Sequence, residues 1–246
     1  MILALLSDIH GNLEALNACL KHARNAGAKR FAFLGDLVGY GADPAAVVEI
    51  MMRQAAEGAI VLRGNHDDAV ANPAAYMNDS AKDAIDWARQ ALSEKERVFL
   101  ARLPLIAKED SAFFVHASAN APERWNYVDS PAAARTCAEA SGCPYTFCGH
   151  VHHQMLYFQR REGAMSAFRP VPGSAIPMRG HRRWVAVVGS VGQPRDRTPA
   201  AAYALFDLSR GEITFHRVPY DQLAAAQKIR AAGLPASLAR RVELGI

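Results

Sequence analysis

The chain has 246 residues, of which 50% are hydrophobic and 21% charged, with a formal net charge of +4. That composition can bury the core of one large domain and excludes a disordered chain, and no apolar run approaches the roughly 20 residues that a membrane-spanning helix needs. The charge is uneven, at −4 over residues 1–150 and +8 over residues 151–246. This split suits cation binding in the first part and an anionic ligand in the second, and an ordinary solvated surface explains it equally well. Cys19, Cys137, Cys143 and Cys148 show neither a C-x-x-C pair nor zinc-finger spacing, so free thiols in a reducing cytoplasm are expected. The opening Met1-Ile2-Leu3-Ala4-Leu5-Leu6 has no basic leader and meets Asp8 too soon for a secretory segment.

In chain order, a strand is predicted at residues 2–7, then a helix with Leu13, Leu16, Leu20 and Ala23 on one face, ending near Gly27. A second strand over 30–34 leads to a helix that opens at Asp43-Pro44, with Asp43 as its N-cap. A third strand, 59–62, runs into Arg63-Gly64-Asn65-His66-Asp67. This strand and helix alternation implies a parallel sheet, in which ligands gather at the carboxyl ends of the strands. One helix is predicted over 78–102, strands at 105–107 and 112–115, a helix at 131–140 and a strand at 145–148. Beyond it, apolar runs near 154–160, 164–169, 184–188, 202–208 and 213–217 are joined by turn residues such as Arg161-Glu162-Gly163. They read as antiparallel strands that add a second sheet. A terminal helix over 220–231 is expected to pack outside. With no repeat or linker in view, residues 1–246 are predicted to form a single domain.

Five polar clusters end the strands: Asp8-Ile9-His10, Gly35-Asp36, Gly64-Asn65-His66-Asp67, His116, and Gly149-His150-Val151-His152. Singly, each has an ordinary reading as a strand end, a helix cap or a satisfied histidine. Together they hold five of the nine histidines, and residues i and i+2 of an extended segment point the same way, so Asp8 with His10 and His150 with His152 can converge. Mixed carboxylate, imidazole and amide donors suit a borderline metal such as manganese, iron or zinc, and argue against thiolate sites and all-oxygen calcium cages.

The ordered set D-x-H, G-D, G-N-H-D, H and G-H-x-H, spanning residues 8–152, resembles the calcineurin-like metallophosphoesterase superfamily. The tail Gly189-Ser190-Val191-Gly192-Gln193-Pro194-Arg195-Asp196 resembles its small bacterial and archaeal phosphodiesterase branch. The resemblance implies an α/β fold, a four-layer alpha/beta/beta/alpha sandwich of two mixed beta-sheets flanked by helices. It further implies that Asp8, His10, Asp36 and His152 hold one metal and Asp36, Asn65, His116 and His150 the other, with Asp36 bridging. The two ions would be divalent transition metals, manganese first, with iron, zinc or nickel as alternatives. A hydroxide shared by the metals would attack phosphorus in line, and His66 would protonate the leaving oxygen as the catalytic acid. Asp67 is read as orienting a ligand or as a plain turn residue.

The phosphoprotein phosphatases of this superfamily carry Asp-Arg where Gly39-Tyr40 stand here, which argues against a phosphoserine substrate. Asn12, Tyr40 and Arg195 are the candidate substrate-binding residues, with a helix-capping Asn12 and a packed Tyr40 as the plainer readings. The basic run Arg179-Gly180-His181-Arg182-Arg183 and Arg197 are further candidate phosphate contacts, or solvated loop charge. The function expected is a dinuclear phosphodiesterase or nucleotide pyrophosphohydrolase acting on a small phosphorylated substrate such as a dinucleoside polyphosphate. The alternatives are a phosphomonoesterase and a non-catalytic interaction scaffold. Aromatic residues for stacking along a single strand are thin, which disfavours a nucleic-acid substrate without excluding it. No membrane partner is expected, and homo-oligomerisation is left open.

Overall fold

The computed structural model describes residues 1–72 and 79–246. β1 (Ile2–Leu6), α1 (Leu13–Asn25), β2 (Ala28–Phe33), α2 (Pro44–Ala56) and β3 (Ile60–Val61) follow in the expected order, with the three strands parallel. Asn12 starts α1 by accepting the Ala15 N–H, and the helix buries Leu16, Cys19, Leu20 and Ala23 on one face. Asp43 does precede Pro44 at the start of α2 but makes no capping hydrogen bond. Its carboxylate accepts from Lys228 Nζ at 2.9 Å instead.

After α3 (Asn65–Ala71), the helix expected over 78–102 is two helices, α4 (Asp79–Ala91) and α5 (Glu94–Arg102); residue 78 lies outside the described residues. Ser93 makes the break. Its Oγ accepts the Glu96 N–H while the Glu96 carboxylate takes the Ser93 N–H, a reciprocal box that starts a new helix rather than continuing the old one. β4 (Ile106–Glu109), β5 (Ala112–Val115), α6 (Pro131–Ser141) and β6 (Tyr145–Cys148) come next. They are followed by β7 (Gln154–Gln159), β8 (Met165–Phe168), β9 (Ala175–Pro177), β10 (Trp184–Val188), β11 (Ala201–Asp207), β12 (Glu212–Val218), α7 (Gln222–Ala231) and α8 (Ala236–Leu244).

The late strands do not form a sheet of their own. One sheet runs β3-β2-β1-β11-β12-β9 and the other β4-β5-β6-β10-β7-β8, so late strands complete both. The reason lies in β1 and β5. β1 is buried along nearly its whole length and needs a neighbour on its open edge, which β11 supplies antiparallel, from Ile2 against Asp207 to Leu5 against Ala204. All four residues of β5 are buried too, and β6 covers it in parallel.

Strand alternation then builds the layers. Leu3 and Leu5 of β1 face Phe114, Phe147, Trp184 and Ala186 between the two sheets, whereas Ala4 and Leu6 face Leu16, Leu20, Val47 and Met51 of α1 and α2. On the far side, Val185 and Val187 of β10 pack against Cys137 and Ala138 of α6. The result is an α/β fold of two mixed sheets flanked by helices. α7 does pack outside, yet its Ala225, Ala226 and Ile229 join α8 and Tyr40 in one apolar cluster, so the C-terminal helices buttress a candidate site residue.

Candidate metal centre and active site

The parallel strands β1, β2, β3, β5 and β6 all end at one edge of the sandwich, and each of the five polar clusters lies just past one of these ends. The loops there are laced together: Asp8 N–H donates to Gly35 O, His10 N–H to Asp36 O and Gly149 N–H to His116 O, at 2.9–3.0 Å. Asp8, His10, Asp36, His116, His150 and His152 are all buried. Among the described residues, ligand-type atoms within 4.8 Å of one another form three groups: Asp8, His10 and His152; Asp36, His116 and His150; and His10, Asp36 and His66. Asn65 joins the second, its Oδ1 3.2 Å from His116 Nε2. Asp36 lies between the first two, Oδ2 being 3.7 Å from His10 Nε2 and 3.4 Å from His116 Nε2.

Convergence is achieved differently from the sequence reading. Asp8 and His10 are not on an extended segment, because both stand in the left-handed region at φ 54° and 50°. Asp36, His150 and His152 are there too, at φ 53°, 66° and 67°. Asp and His tolerate this region better than most residues, and each such position still costs about 1–3 kcal/mol, strain that concentrates at functional sites. The i, i+2 pair His150 and His152 also separates, one imidazole going to each group.

The imidazoles decide whether a metal fits. His10 Nδ1 donates to Val38 O at 3.2 Å, His116 Nδ1 to Leu34 O at 2.9 Å and His152 Nδ1 to Gln193 O at 2.7 Å. In the neutral state of these three rings the proton is thereby committed to backbone, and a lone pair is left facing inward. His10 Nε2 and His152 Nε2 stand 3.2 Å apart, and His116 Nε2 and His150 Nδ1 3.1 Å apart. Where both rings are neutral, two lone pairs at that distance repel unless a cation or a shared proton lies between them. The donor set therefore fits a divalent metal in each group.

For His10, His150 and His152 the charge states agree with this. Burial alone would raise Asp36, but His116, His66 and His10 outweigh it and hold the carboxyl well below the usual range. Burial drives His10 and His152 well below the ordinary imidazole value and takes His150 to about 3, so these rings are neutral, the state that binds metal. His116 is the exception: burial would lower it, but the Asp36 carboxylate beside it pushes it up to about 9, so a metal at its Nε2 would displace a proton.

Asp67 does not orient a ligand side chain directly. Its Oδ1 accepts the N–H groups of Leu37 and Val38 at 2.9 and 3.2 Å, and its Oδ2 accepts Gly64 N–H at 2.9 Å. One carboxylate thus clasps the loop after β2 to the start of α3, fixing Asp36 relative to Asn65 and His66. Gly64 must remain glycine because a Cβ there would collide with the Asp36 carboxylate.

The remaining sequence candidates separate. His66, Tyr40 and Arg195 line a cavity of about 680 Å³ that opens over the two groups. The Tyr40 ring lies 4.6 Å from that of His10 and 4.5 Å from that of His66, and the Arg195 guanidinium lies 5.8 Å from the Tyr40 ring centroid. Among the described residues, His66 Nδ1 and Arg195 Nε are buried with no hydrogen-bond partner. The His66 ring fits where it does because Gly39 offers no Cβ to strike it. Asn12 is elsewhere: besides capping α1 it donates to Gly192 O and the Tyr220 hydroxyl, and it is absent from the cavity wall. The basic run 179–183 precedes β10, which is parallel to β6, so it lies at the opposite end of the sheet from His150. Arg197 N–H is tied to Gly245 O, and its side chain is likewise absent from the wall. Sequence reasoning missed Arg124, Trp125 and Tyr127, which form another side of the cavity. They sit in the irregular segment between β5 and α6, where no periodicity marks them.

The class of protein follows. The profile of the calcineurin-like phosphoesterase superfamily domain matches residues 1–211, and the chain belongs to that superfamily, whose members bind divalent metals and act on small phosphoesters. An uncharacterized protein of Methanocaldococcus jannaschii is 34% identical over 250 residues, covering 99% of this chain and 98% of its own. A metallophosphoesterase from Sphaerobacter thermophilus, 32% identical and covering each chain completely, superposes with a TM-score of 0.87. A hypothetical protein of Pyrococcus horikoshii OT3 superposes with a TM-score of 0.80 at 21% identity, over 100% of this chain and 98% of its own, and shows the fold alone.

Proposed function

We propose that the protein is a dinuclear metal-dependent phosphodiesterase or nucleotide pyrophosphohydrolase, a single-domain enzyme of the cytoplasm acting on small phosphorylated substrates. Asp8, His10, Asp36 and His152 hold one metal, and Asp36, Asn65, His116 and His150 the other. The observation that carries this reading is the two pairs of facing imidazole nitrogens, 3.2 and 3.1 Å apart, with the Asp36 carboxylate between them. Manganese is the preferred ion for this oxygen and nitrogen donor set, with iron, zinc and nickel as alternatives. Four buried free thiols support a reducing compartment.

When bound, the metals supply a water of lowered pKa as nucleophile and neutralise charge on the phosphoryl oxygens. The chain's own residues do the rest. Asp36, shared by both groups, sets their separation. Arg195, on the cavity wall, donates from its guanidinium to a phosphoryl oxygen, and the Tyr40 ring lies against the Arg195 and His66 side chains. His66 carries the proton that the leaving oxygen takes, within a wall that limits competing water.

A panel of a bis-nitrophenyl diester, a nitrophenyl monoester and a diadenosine polyphosphate, each with added manganese, tests the assignment. The diester or the dinucleotide should turn over fastest. Monoester turnover far above both would overturn the diesterase reading.

A further inference from the structure

The segment between β5 and α6 has no task in the chemistry above, yet it walls the cavity beside the second group of ligands. It is held in an uncommon shape, with a 3-10 turn at Pro122–Arg124 flanked by Ala121 and Trp125, both left-handed at φ 53° and 54°. Two aromatic rings result. Trp125 stands edge-on to His116, ring centroids 5.9 Å apart at 70°, and Tyr127 lies parallel to His150, 4.2 Å away at 16°.

A ring that served only to prop His150 would be expected in the core, as large aromatic side chains usually are. Tyr127 is instead 53% exposed while stacked on that imidazole, and it lines a cavity of about 680 Å³, many times the size of a phosphoryl group and within the range of nucleotide-sized ligands. Arg195 and Arg124 supply cations on the same wall. A planar aromatic surface next to anion-binding groups is the combination that recognises a base joined to phosphate.

We propose that Trp125 and Tyr127 form a stacking platform for a nucleobase, which makes the substrate a nucleoside-bearing phosphoester. The inference rests on the phosphoesterase reading above. Tyr127 is a specificity residue here: it takes no part in bond breaking and separates substrates that carry a base from those that do not.

The test compares binding of the non-hydrolysable adenosine (α,β-methylene)diphosphate with that of methylenediphosphonate, by calorimetry on the manganese-loaded protein, with metal content measured on the same samples. The nucleotide should bind about 10-fold tighter or more in the wild type, the preference expected from one stacked base. Tyr127→Ala should bring the ratio towards one with metal content unchanged, and Tyr127→Phe should keep it. A wild-type ratio near one, or a ratio that survives Tyr127→Ala, overturns the proposal. So does a Tyr127→Ala protein that loses metal and both ligands together, which would make the ring a support for His150 alone. Turnover of the bis-nitrophenyl diester by the wild type keeps the two readings apart: turnover without base preference sinks only the platform, whereas no turnover and no binding of either ligand sinks both.

Discussion

His66 and Arg195 stand out at the scale of single residues because both line the cavity that opens over the two groups of ligands. If His66 gives its proton to the leaving oxygen, its loss matters most where that oxygen is a poor leaving group. His66→Ala should therefore keep both metals and lose about 10²–10⁴-fold in turnover on an alkyl phosphodiester, but much less on a nitrophenyl one; equal losses on the two would rule out the acid role. Arg195→Ala should raise KM about tenfold on either ester, as expected for a lost charge-assisted hydrogen bond to phosphate. The identities of His66 and of the candidate ligands were legible in the sequence because their types and order are distinctive. The left-handed backbone that aims Asp8, His10 and Asp36 was not legible, and neither was the commitment of each ring proton to a particular carbonyl, since both depend on which loops become neighbours. Asn12 had two readings for the same reason: a capping residue and a ligand contact look alike until Gly192 and Tyr220 are seen to take its amide.

Among elements, the clasp between the β2 loop and α3 matters most for the site. Asp67 satisfies three buried backbone N–H groups that belong to two different segments. Asp67→Ala should cost about 3 kcal/mol of stability in urea unfolding, the order expected for stranding buried donors, and should weaken metal binding because Asp36 and Asn65 lose their common anchor. A variant with wild-type stability and metal affinity would show the clasp to be dispensable. The elements were mostly readable: β5, β6 and β10 fall where the apolar runs put them. The exceptions have physical causes. Ser93 splits one apolar periodicity into two helices, β9 is too short to carry a pattern, and α8 begins just after Pro235 and ends at Gly245, residues that read as loop. Which sheet the late strands join is decided by the open edge of β1, and no local run of sequence records that.

At the scale of the whole molecule, the uneven charge of the two halves does not map onto the site, because the run 179–183 lies at the far end of its sheet. Arg179→Ala should leave kcat/KM on phosphodiesters unchanged, in contrast to Arg195→Ala; a comparable loss would mean that substrate reaches beyond the cavity. Global stability should also depend on a histidine remote from the site. His216 of β12, stacked on Tyr203 of β11 and beside His22 of α1, is lowered from 6.5 to about 4, by burial first and then by His22. A folded value below the unfolded one means that the unfolded chain takes up the proton first as pH falls. The stabilisation is complete above about 6.5 and is lost progressively as pH falls towards about 4. Stability measured across that window should decline in the wild type and decline less in His216→Phe; parallel profiles would remove His216 as a cause.

Metal stoichiometry of the purified protein, wild type against Asp36→Asn under manganese-replete conditions, shows whether Asp36 joins two metal ions in one centre. Asp36 is the carboxylate between the two imidazole pairs, so the wild type should hold two metals per chain and Asp36→Asn should retain neither, whereas His10→Ala or His150→Ala should weaken chiefly one. A wild type without transition metal, or an Asp36→Asn protein that still holds two, would contradict the account.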